Sequence, residues 1–70
     1  MIRNRLRATR EAAALTQADL AAALDVSRQT VISLEQGRYL PSLEHALRLA
    51  RHFSQSVEQL FELIAPEQPD

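Results

Sequence analysis

The chain has 70 residues, 46% of them hydrophobic and 24% charged, with no cysteine and one glycine, which suits one small domain held by helix packing in a reducing cytoplasm. Disorder, a bilayer span, a secretory leader and thiolate or disulfide chemistry are excluded: the apolar content is high, no run nears about 18 apolar residues, and no apolar stretch follows Met1-Ile2-Arg3-Asn4-Arg5. The net charge of −1 divides unevenly, with +2 over residues 1–38 and −3 over residues 39–70, so the N-terminal half either meets a polyanion or carries ordinary surface charge.

The abundance of Ala, Leu, Arg, Glu and Gln predicts helix throughout, with punctuation every 10–15 residues. A first helix is expected over Ile2 to Ala13, with Ile2, Leu6, Thr9 and Ala13 on one face. Thr16 offers an N-cap, with Asp19 three residues on completing a short-armed capping box, for a second helix reaching Leu24 and burying Leu20, Ala21 and Leu24. Asp25-Val26 is a tight break. Ser27 caps a third helix to Gln36, and Gly37 supplies the left-handed residue that closes it. After the loop Arg38-Tyr39-Leu40-Pro41, Ser42 caps a fourth helix to Phe53, expected to bury Leu43, Leu47, Ala50 and Phe53. Ser56 and Gln59 form a capping box for a fifth helix, Val57 to Ile64. The domain is placed at residues 1–65, with a frayed tail at 66–70.

Two short helices joined through residues 25–26 have the layout of a helix-turn-helix, which offers its second helix to the major groove of DNA. At about 100° per residue, Val31 and Leu34 share the core side of the third helix. Gln29, Ser33 and Gln36 fall opposite, with Arg28 and Ile32 on a flank. Arginine can fork onto guanine O6 and N7, glutamine can both donate to and accept from adenine, serine suits any base edge, and isoleucine can touch a thymine methyl. A merely polar helix surface is the bland alternative.

The run Thr16-Gln17-Ala18-Asp19-Leu20-Ala21, then Val26-Ser27-Arg28-Gln29-Thr30-Val31, Leu34-Glu35-Gln36-Gly37-Arg38-Tyr39 and Pro41-Ser42-Leu43 closely resembles the phage-repressor-like helix-turn-helix family. These are the Cro/CI-type, or xenobiotic-response-element, regulators, and the resemblance spans about residues 2 to 64. It implies an all-α, five-helix, lambda-repressor-like domain with the helix-turn-helix at helices 2 and 3. It also implies base reading by Arg28, Gln29 and Ser33, with Ser27 and Ile32 as further candidates, and phosphate contacts by Gln17, Arg38 and Thr16. Ala21 matches a small residue that lets the two helices approach, and Arg10 and Glu35 match a paired Arg and Glu tying the first helix to the third. The stripe edges at which these two residues sit make that pairing sensible. Ala14, Asp25 and Ser54 depart from the family, which often has glycine there; Asp25 suits a left-handed turn, while Ala14 is expected to prolong the first helix.

Other features are weaker. Arg3 and Arg7, at i,i+4 spacing on the first helix, can approach phosphates or serve solubility. His45, Arg48 and His52 share a face of the fourth helix; the two histidines are about 10 Å apart along the axis, too far for one metal, and are expected to face solvent. No metal, cofactor or catalytic residue is expected: the serines act as caps and no glycine-rich loop exists. The fifth helix has more apolar surface than one core contact needs, so Phe61, Leu63, Ile64 and Leu60 are assigned to a dimer interface, core burial being the alternative for Leu60 and Phe61. The expected function is a repressor binding a palindromic operator as a homodimer. The rivals are an antitoxin-like module that also binds a small partner protein, and an interaction module without DNA binding.

Overall fold

In the computed structural model, which describes residues 2–38 and 40–64, five helices and a terminal β-ribbon surround one apolar centre. The order is β1 (Ile2–Asn4), α1 (Leu6–Ala12), α2 (Gln17–Leu24), α3 (Arg28–Glu35), α4 (Leu43–Phe53), α5 (Val57–Leu60) and β2 (Phe61–Leu63). Leu6, Leu20, Ala21, Leu24, Val31, Leu34, Leu49 and Leu60 form the core, with Val26, Ala50, Phe53 and Phe61 packed against it. The expected tail at 66–70, together with Tyr39 of the loop, lies outside the described residues.

Local capping sets the helix starts. Thr16 and Ser56 each form the reciprocal box, with Asp19 and Gln59 respectively returning a bond to the cap residue's backbone, and Ser27 and Ser42 accept from the N–H three residues on. The helix ends share another device. At Ala14, Asp25, Gly37 and Ser54 the chain turns left-handed, with φ of 59°, 57°, 72° and 54°. Each time, that residue's N–H and the next one's return to carbonyls of the last turn; after α3 these bonds are Gly37 N to Leu34 O at 3.1 Å and Arg38 N to Ser33 O at 3.0 Å. Ala14 therefore terminates α1 rather than prolonging it.

Three expectations are corrected. The first helix begins at Leu6, because Ile2–Asn4 pairs antiparallel with Phe61–Leu63, Ile2 facing Leu63 and Asn4 facing Phe61. Arg3 is therefore not stacked on Arg7; it lies 4.0 Å from Glu62, while Arg7 pairs with Glu11 at 3.0 Å. Of the predicted face of that helix, Ile2 and Ala13 are exposed and Leu6 is buried. For the same reason the fifth helix stops at Leu60, where φ and ψ of Phe61 become extended at −128° and 136°. Cross-strand pairing supplies what a short alternating segment cannot obtain alone.

The fourth helix is also rotated from its expected setting. Ala46 and Leu49 are buried, whereas Leu43 and Leu47 are exposed. Its apolar residues fit two helical registers, and the observed one turns small Ala46 inward and carries Leu49 fully into the core. His45 is half-buried rather than solvent-facing, while Arg48 and His52 are exposed, with Arg48 paired to Glu44 at 3.2 Å.

Candidate nucleic-acid interface

The turn between α2 and α3 is three residues long. Asp25 takes the left-handed position, Val26 drops onto the core while its N–H returns to Ala21 O at 3.0 Å, and Ser27 starts the next helix. Ala21 is buried where α2 and α3 pack together. With Val31 and Leu34 turned inward, Arg28, Gln29 and Gln36 are exposed on the outer side of α3, and Ile32 and Ser33 are half-buried.

Among the described residues neither Arg28 nor Arg38 enters an ion pair, whereas Arg3, Arg5, Arg7, Arg10 and Arg48 do. Ser27, by contrast, commits its hydroxyl to the cap, accepting from Thr30 N at 3.1 Å and lying 2.9 Å from Thr30 Oγ1.

Behind this face, α3 is anchored by a polar network. Arg10 reaches Glu35 through two bonds, Nε to Oε2 at 2.6 Å and Nη2 to Oε1 at 3.2 Å, and its Nη1 donates to Leu15 O at 2.9 Å. Glu35 also accepts from Gln17 Nε2 at 3.2 Å. Both charges are withdrawn from water, the Glu35 side chain being only 4% exposed. The bond to Glu35 raises the Arg10 pKa against the opposing effect of burial, so the guanidinium stays charged. Such a fork holds α1 to α3 in one orientation. Gln17, for which the resemblance implied a phosphate contact, joins this network from α2.

A cleft of about 760 Å³ lies between α1, the start of α2 and α3, and brings Thr16, Gln17, Arg28 and Ile32 together. Thr16 Oγ1 accepts from Asp19 N at 3.0 Å, and the first N–H groups of α2 have no carbonyl one turn earlier to bond. These donors, the positive end of the helix dipole and Arg28 make the cleft mouth favourable to an anion. Arg38 is not part of this cleft; it stands exposed beyond the far end of α3. The polar face of α3 thus lies beside a cleft that runs from Arg28 to Gln36, with exposed Arg38 beyond the end of the helix.

The predicted dimer residues separate. Leu60 is fully buried in the core and cannot form an interface; it closes α5 against Leu6 and its companions. Phe61 is half-buried against that core, Ile64 is half-buried, and Leu63 is 80% exposed at the ribbon's edge. One residue that the sequence reading passed over also belongs to the architecture: Asn4, whose side chain joins β1 to the end of α3.

A tight two-helix unit whose second helix turns a polar face outward defines the class as a helix-turn-helix domain. The helix-turn-helix family model matches residues 6–60. An HTH-type transcriptional regulator of Methanocaldococcus jannaschii is 45% identical over 60 residues, covering 86% of this chain and 91% of its own length. The HTH-type regulator YgzD of Bacillus subtilis is 36% identical over 60 residues, covering 86% of this chain and 91% of its own. In structure, a transcriptional regulator from Listeria innocua superposes with a TM-score of 0.78 at 26% identity, over 93% of this chain and 61% of that one. The chain belongs to the helix-turn-helix family of Cro/CI, or xenobiotic-response-element, type, a family of DNA-binding transcriptional regulators rather than enzymes. Among the described residues no helix is long and apolar enough to cross a membrane, and no group of His, Asp or Glu is arranged to hold a metal.

Proposed function

We propose that this regulator represses transcription by occupying a two-fold symmetric operator as a homodimer in the cytoplasm. The observation that carries the reading is the outer face of α3, where Arg28 and Gln29 are exposed and Arg28 has no ion-pair partner among the described residues, while the opposite face is locked into the core. Arg28, Gln29 and Ser33 read base edges, with Ile32 at the flank. Gln17 and Thr16, at the start of α2, and Arg38, after α3, hold phosphates on either side. Exposed Leu63, with Ile2 opposite it in the ribbon and Phe61 and Ile64 alongside in sequence, supplies the surface for a second copy. A two-fold dimer sets its reading helices about 34–36 Å apart, one turn of DNA. The same exposed leucine supports a second reading, an antitoxin-like module holding a small partner protein, which copurification of that partner would reveal.

The test is selection from a random-duplex pool followed by sequencing, with Arg28→Ala and Arg38→Ala alongside the unaltered chain. Arg28→Ala relaxes preference at one base position at a cost of about 1–3 kcal/mol, and Arg38→Ala weakens all sequences alike and flattens the salt slope by about 1. Absence of salt-sensitive binding to any duplex overturns the proposal.

A further inference from the structure

The last carbonyls of α3 are held from outside the helix as well as from within. Leu34 O accepts from Gly37 N at 3.1 Å, the bond that bends the chain toward Arg38, and also from Asn4 Nδ2 at 2.9 Å. The same Asn4 side chain accepts, through Oδ1, from Leu6 N at 3.3 Å, at the start of α1. The backbone partners fix the amide's orientation, since one is a carbonyl and the other an N–H. Asn4 is itself fixed in β1 by pairing with Phe61, and Arg5, the next residue, donates its N–H to Leu60 O at 2.8 Å. Its neighbours Arg3 and Arg5 both reach Glu62 instead. At the adjacent position on α3, Glu35 is bound by Arg10 and Gln17. Two consecutive residues at the end of α3 are therefore tied to three other elements, immediately before the turn that carries Arg38.

We infer that Asn4 is a positioning residue for DNA binding: through Leu34 O it fixes the left-handed turn at Gly37, and so the direction in which Arg38 meets a phosphate. The inference rests on the DNA-binding reading proposed above and assigns a role to a side chain remote in sequence from the helix-turn-helix. With this tie removed, α3 keeps its core contacts through Val31 and Leu34, but Leu34 O is held by Gly37 N alone and the turn loses its anchor to β1. The loss falls on the turn beyond. Its signature is thus that of a missing phosphate contact rather than of altered base reading.

The experiment measures binding of the full chain to the duplex it selects from a random pool, between about 50 and 200 mM salt. Asn4→Ala and Asn4→Ser are compared with the unaltered chain and with Arg38→Ala. Serine's shorter side chain can still serve the start of α1 but does not span to Leu34 O, so this variant separates the tie from the helix start. Both variants are expected to bind all sequences more weakly, with unchanged base preferences. The loss of affinity across that salt range shrinks by about threefold, as expected for one phosphate contact fewer. Adding Arg38→Ala to either variant then changes the slope little, because the two act on one contact. Ser42→Ala, which removes the α4 cap and lowers stability away from the turn, leaves the slope intact. An unaltered salt slope in folded Asn4→Ser, or an equal change in Ser42→Ala, overturns the inference alone. Failure of the unaltered chain to bind any duplex overturns the DNA-binding reading and the inference with it.

Discussion

Three of the four left-handed helix ends fall on a residue that carries a side chain, and replacing those residues by glycine should stabilise the protein. Ala14, Asp25 and Ser54 have φ of 59°, 57° and 54°, a region that costs an L-residue roughly 1–2 kcal/mol. Glycine removes that cost but gives up about 0.4–1 kcal/mol through the greater freedom of the unfolded chain. The expected net gain is about 0.5–1 kcal/mol for Ala14→Gly and for Ser54→Gly. It is smaller for Asp25→Gly, because aspartate enters this region more readily. The sites close three different helices, so the gains should add to about 2 kcal/mol. In a domain of this size that raises Tm by roughly 10 °C. Thermal and urea unfolding followed by circular dichroism, at one fixed protein concentration so that association does not shift the midpoint, measures it. Ala8→Gly, at an exposed position within α1, is the control and should lose about 1 kcal/mol. A neutral or destabilising Ala14→Gly would refute the reasoning.

Arg10→Ala strands the nearly buried Glu35 carboxylate and should cost about 3–5 kcal/mol, a large part of the stability of so small a domain, read as a collapse of the urea midpoint. Leu60→Ala should cost about 2–5 kcal/mol, whereas Leu63→Arg should leave the fold within about 0.5 kcal/mol and shift sedimentation toward the monomer. The Asp19 carboxylate, held by the N–H and hydroxyl of Thr16, has its pKa lowered from the ordinary value. Its contribution to stability is therefore present above about pH 4 and lost as pH falls through the lowered value. Asp19→Asn, which keeps an oxygen for the Thr16 N–H, should make the acid side of a stability–pH curve shallower.

What the residues disclose in advance is mainly what is local. Thr16, Ser27, Ser42 and Ser56 announce four helix starts because each bond spans three residues of chain. Val31 and Leu34 likewise orient α3, since its few apolar side chains admit one register. The wider apolar arc of α4 admits two, and only the space left between α2 and α5 selects Ala46 and Leu49 over Leu43 and Leu47. The ribbon is illegible for a stronger reason: neither Ile2–Asn4 nor Phe61–Leu63 has a strand's length or composition by itself, and each obtains its conformation from the other. Asn4 could be noticed only as a polar residue two positions before Leu6, with nothing nearby to suggest Leu34, 30 residues away, as its partner. The Arg10–Glu35 pair was accessible through the resemblance and through the edges of two apolar stripes, but the participation of Gln17 and Leu15 O was not.

The pairing of Ile2 with Leu63 has a consequence for synthesis of the chain. Those contacts join its most distant described segments, so closing them carries the largest loop entropy in the molecule and is expected to come last. The helices between can nucleate on the ribosome as they emerge, but the clasp at residues 2–4 must wait until residue 63 has left the exit tunnel. A nascent copy therefore acquires its finished geometry only once Phe61–Leu63 meets Ile2–Asn4.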